Sequence, residues 1–183
     1  MENAPGSIIK PGWLKQLIRI KGSLDIRLNS ALRPVNLKQV DSYLLIELNP
    51  ELTDISGLSG LERTGGFLTI ANNDKLTSLH GLGSLKKTAG LNISDMEILA
   101  NFSGLDSLQT VEAGAYLLNN NALESFHGLE ALRSINGLLQ IRNNPALKDP
   151  FFHQQNLPRY GTSQAHLKIL LPQPPEQREH RFQ

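Results

Sequence analysis

A mixed polar and aliphatic phrase returns along most of this chain at a nearly fixed step. Its fullest copy runs Leu68-Thr-Ile-Ala-Asn-Asn-Asp-Lys-Leu-Thr-Ser-Leu-His-Gly-Leu-Gly-Ser-Leu-Lys-Lys-Thr88. The isoleucine near its start recurs at Ile26, Ile46, Ile70, Ile93, Leu117 (as leucine) and Ile141, in steps of 20, 24, 23, 24 and 24 residues. A step of this size marks a solenoid, in which each copy is one coil resting on the last.

Around the opening isoleucine the pattern alternates. Leu24 and Ile26, Leu44 and Ile46, Leu68 and Ile70, Leu91 and Ile93, Ala115 and Leu117, and Leu139 and Ile141 point one way, and their neighbours point the other. Period two predicts a half-buried strand, and coils that follow one another in one direction make the sheet parallel. The remaining aliphatics fall three apart, as in Ile55, Leu58 and Leu61 or Leu79, Leu82 and Leu85. Too few residues are left for helices, so these stretches are expected to be short 3₁₀ or irregular arcs. One coil cannot bury enough on its own to offset its ordering entropy, so neighbours must seal both faces of its core. The expectation is a mainly β repeat protein: a parallel solenoid of about six coils with a 23–24-residue repeat.

Asparagine stands three residues after the opening isoleucine, at Asn29, Asn49, Asn73, Asn120 and Asn144, with Met96 as the exception. Five equivalent amides argue for architecture rather than chemistry. They are expected to turn inward and satisfy backbone groups of the turn as a structural ladder. Asp54, Ser78, Asn101, Ser125 and Asp149 form a second polar column, expected to cap the following turn.

Enzyme signatures are absent. The chain has no nucleophile elbow, phosphate-binding loop, zinc-protease helix or calcium loop. His80 and His127 occupy equivalent slots two coils apart, too distant to share a metal ion. The expectation is no catalytic residue, no metal and no cofactor. With 39% hydrophobic residues and a net charge of +1, neither disorder nor a nucleic-acid footprint is indicated. No apolar run approaches bilayer length, so no membrane insertion is expected. Residues 1–10 lack a secretory pattern, which fits a chain without a leader or one cut from a longer protein. The absence of cysteine suits a reducing or bacterial setting.

Val40-Asp-Ser-Tyr-Leu-Leu-Ile-Glu-Leu-Asn49, followed by Leu-x-x-Ile-x-Gly-Leu-x-x-Leu, resembles the receptor L domain, a leucine-rich-repeat-like module of hormone-receptor ectodomains. The likeness covers about Leu14 to Asp149. It implies a right-handed solenoid and a cell-surface setting. The flanking cysteine-rich modules and disulfides of the receptors have no counterpart here, so hormone binding is not implied.

The expected organisation is an N-terminal arm (1–12), the solenoid (13–150), a C-terminal cap (151–171) and a proline-rich disordered tail (172–183). Trp13 is expected to cover the first core layer and Phe151-Phe152 the last, with residues 166–171 pairing as an edge strand. For function, the expectation is a non-catalytic recognition module whose outward sheet face binds a protein or a carbohydrate. The residues proposed for it are Tyr43, Leu45, Phe67, Thr69, Asn92, Tyr116, Leu118, Leu138, Gln140 and Arg142. A structural spacer in a larger surface protein is the alternative. A solenoid enzyme acting on polysaccharide is disfavoured, because the outward strand positions supply only Asp25, Arg27, Glu47 and Arg142 as charged groups.

Overall fold

A computed structural model describes residues 16–148 and the backbone of residues 167–170. The arm, Trp13, Asp149, Phe151-Phe152 and the tail lie outside the described residues. The chain winds as a parallel β-solenoid with two sheets running its length. The larger contains β2 (Leu24–Ile26), β4 (Leu44–Glu47), β6 (Phe67–Ala71), β8 (Gly90–Ser94), β10 (Ala115–Leu118), β12 (Leu139–Arg142) and β13 (Leu167–Leu170), paired in that order. The smaller is built from two-residue strands: β1 (Arg19–Ile20), β3 (Gln39–Val40), β5 (Arg63–Thr64), β7 (Lys87–Thr88), β9 (Thr110–Val111) and β11 (Ser134–Ile135). From β2 to β12 the path makes five turns, and β13 adds one strand at the edge, with Leu167 opposite Leu139.

Alternation places the core. Leu44, Ile46, Leu68, Ile70, Leu91, Ile93, Ala115, Leu117, Leu139 and Ile141 are buried between the two sheets and the arcs. The arcs are 3₁₀ at Ser56–Leu58 and His80–Leu82, each turning on bonds such as Leu58 N–H to Ile55 O at 3.0 Å. A glycine opens the tight approach of one arc to the next. A Cβ on Gly81 would sit inside the carbonyl of Ile55, and Gly104 adopts φ +108° against the backbone of Leu79. Ala115 stands where other coils have leucine. In the neighbouring column Phe102 and Phe126 stack with centroids 6.2 Å apart. A cavity of about 10 Å³, lined by Ala115, Phe126 and neighbouring aliphatics, remains.

Strands β2, β4, β6, β8, β10 and β12 each leave through a residue with left-handed backbone: Leu28, Leu48, Asn72, Asp95, Asn119 and Asn143, with φ between 53° and 58°. The ladder asparagine follows immediately. Asn49, Asn73, Asn120 and Asn144 are buried. Three of the four amide oxygens serve the coil before: the backbone N–H of Asn29 donates to Asn49 Oδ1 at 2.8 Å, that of Asn49 to Asn73 Oδ1 at 3.2 Å, and that of Asn120 to Asn144 Oδ1 at 3.0 Å. Each Nδ2 donates to the carbonyl of the preceding coil's opening residue, as Asn73 does to Ile46 O at 2.8 Å. Asn29 departs from the expected inward turn. It lies on the first coil, is exposed, and donates to Arg27 O instead.

Candidate functional site

The outward face of the large sheet carries three columns in register. Phe67 lies opposite Gly90; Leu45, Thr69, Asn92, Tyr116 and Gln140 pair in sequence; Glu47, Ala71, Ser94, Leu118 and Arg142 form the third column. Of the residues proposed from the sequence, Leu45, Phe67, Thr69, Asn92, Tyr116, Leu118, Gln140 and Arg142 occupy outward strand positions of this sheet, and Tyr43 and Leu138 immediately precede β4 and β12. Leu45, Phe67, Thr69, Asn92, Tyr116, Leu118, Leu138 and Gln140 are half-buried, whereas Tyr43 and Arg142 are exposed. Tyr43 is 52% exposed, the largest open aromatic surface among the described residues.

Glycine decides how the aromatics lie. A Cβ built on Gly90 would be almost equally close to Cε1, Cζ and Cε2 of Phe67. Points equidistant from three atoms of a hexagon lie on its axis, so the ring sits face-down on Gly90. Tyr116 lies differently: a Cβ on Gly114, two residues before it on the same strand, would meet its Cε2 edge and Oη at 3.0 Å. The two rings are 6.1 Å apart between centroids and tilted by 31°. Tyr43, these rings and Leu138 thus form a strip along the solenoid axis.

Beside the strip, Asn92 has a buried Oδ1 without a hydrogen-bond partner. Charge is confined to the ends. Arg27 pairs with Asp25 at 2.9 Å and with Glu47 at the first, and Arg142 stands at the other. Between Glu47 and Arg142 the three columns hold no charged residue.

A feature not legible from the repeat phrase is a second, exposed ladder at the left-handed turn. Asn119 Nδ2 donates to Asp95 Oδ1 at 2.8 Å, and Asn143 Nδ2 to Asn119 Oδ1 at 2.9 Å. The signal was the run Asn72, Asp95, Asn119 and Asn143, residue types that tolerate positive φ. In the second polar column, Asp54 and Asn101 accept from the backbone N–H two residues on, at 2.7 and 3.0 Å, and Ser125 does so at 3.4 Å. The hydroxyl and N–H of Ser56 hold the Asp54 carboxyl below its ordinary pKa.

Among the described residues no three His, Cys, Asp or Glu side chains cluster to hold a metal ion, and no helix is long and apolar enough to cross a membrane. His127 is exposed and its Nδ1 lies 2.7 Å from Glu130. Compared with family models, curated proteins and solved structures, the chain matches none.

Proposed function

We propose that this protein is a non-catalytic recognition module that engages its partner, a protein or a glycan, through the outward face of the large sheet. One observation carries the reading. Solvent-facing strand positions ordinarily hold polar residues, yet Tyr43, Leu45, Phe67, Tyr116, Leu118 and Leu138 are gathered there on one surface. Contiguous apolar surface of this kind is a contact surface, and aromatics are favoured anchors. The likeness of the Val40–Asn49 phrase to receptor L domains points the same way, since that module binds ligands.

The test is Phe67→Asp combined with Tyr116→Asp. The double variant is expected to remain folded and monomeric and to lose capture of its partner. Unfolding of the variant, or capture left intact, would overturn the reading. Loss of a wild-type dimer with capture unaffected would assign the face to self-association instead.

A further inference from the structure

The outward strip has the geometry of a stacking floor. Phe67 lies flat on Gly90, and the Tyr116 ring follows at a 6.1 Å centroid spacing, tilted by 31° with its edge and hydroxyl over Gly114. That spacing is comparable with the advance of one residue along an equatorially linked pyranose chain. Aromatic faces are electron-rich, so they attract the C–H hydrogens of a sugar's apolar face. The adjoining column supplies uncharged hydrogen-bonding groups at Thr69, Asn92 and Gln140. Asn92 holds a buried acceptor oxygen whose hydrogen bond is unmade.

Other occupants fit less well. An extended peptide binds best by adding to a sheet edge, whereas the backbone groups beneath this strip are already paired in the parallel ladder. A polyanion needs cations, and none lies between Glu47 and Arg142 on this face.

We infer that the outward face binds a neutral, equatorially linked pyranose chain lying along the solenoid axis, stacked on Phe67 and Tyr116. This rests on the recognition reading above and specifies its ligand class. The test is calorimetric titration of the full chain with cellohexaose and with chitohexaose, using heparin as a polyanionic control.

Saturable binding of at least one neutral oligomer is expected, with none of heparin. Phe67→Ala and Tyr116→Ala are each expected to weaken binding about tenfold, whereas Phe67→Tyr retains it. Gly90→Ala, whose new methyl displaces the ring, is expected to weaken binding while leaving the circular dichroism spectrum unchanged. The inference is overturned if neither neutral oligomer binds, if heparin binds in their place, or if Phe67→Ala and Tyr116→Ala both bind like wild type. Should the neutral oligomers fail while Phe67→Asp with Tyr116→Asp still abolishes partner capture, the sugar assignment falls and the recognition face stands. Should capture also survive, both fall.

Discussion

At the buried ladder each asparagine satisfies backbone groups on two coils. Asn73→Ala removes the acceptor of the Asn49 N–H and the donor to Ile46 O. Stability is expected to fall by about 1–3 kcal/mol, read from urea denaturation. Met96 interrupts the ladder, and the Oδ1 of Asn120 on the next coil is buried without a partner. Met96→Asn would supply a donor there, as Asn49 Nδ2 does for Asn73 Oδ1 at 3.0 Å. The variant is expected to stay within about 1 kcal/mol of wild type, because that bond offsets the lost methionine burial. Leu48 presents the opposite mismatch: it is 46% exposed, with φ +58°. Left-handed backbone is costly for leucine and tolerated by asparagine. Leu48→Asn is expected to raise stability by about 0.5–1 kcal/mol, visible as a higher melting temperature. The inner ladder was legible because its asparagines break an aliphatic register. The left-handed column was hidden because Leu28 and Leu48 fill it in the first coils and do not advertise positive φ.

Among the elements, the long strands announced themselves by alternation, and the arcs by their spacing of three. The small sheet did not. Arg63-Thr64 and Lys87-Thr88 are too short to alternate, and their threonines pass for members of an aliphatic column. Thr64 and Thr88 are in fact buried with their hydroxyls 2.7 Å apart. The capped arcs make stability respond to acid. Asp54, held by Ser56, has a folded pKa below its unfolded value. Its contribution is therefore present above the unfolded carboxylate pKa of about 4 and is lost as pH falls through the lower folded value. The melting temperature should drop below about pH 4, and Asp54→Asn, which still accepts from Ser56 N–H, should flatten that limb. Unchanged acid sensitivity in the variant would remove Asp54 from this account. The floor under the aromatics is also an element-scale feature. Phe67 and Gly90 share a column in the sequence, but only the backbone register shows the ring seated on the glycine.

For the molecule as a whole, stacking makes the edges matter. β13 pairs along β12 from Leu139 to Arg142 and covers that edge of the large sheet. Deleting residues 172–183 should leave the urea midpoint unchanged, because that segment is proline-rich and contains no aliphatic residue. Deleting residues 167–183 should lower the midpoint by uncovering β12. The architecture was legible because every coil repeats the same inward residues. The outward face was legible only as an excess of apolar residues on the solvent side of a strand, since its register and ring geometry arise between coils. The most direct test of that face is hydroxyl-radical footprinting of the chain with and without its captured partner, read by mass spectrometry. Oxidation of Tyr43, Phe67 and Tyr116 should fall on binding, while exposed Leu28 and Ile98, away from the strip, should be unaffected. Protection of Leu28 or Ile98, with Tyr43, Phe67 and Tyr116 oxidised as before, would contradict recognition through this face.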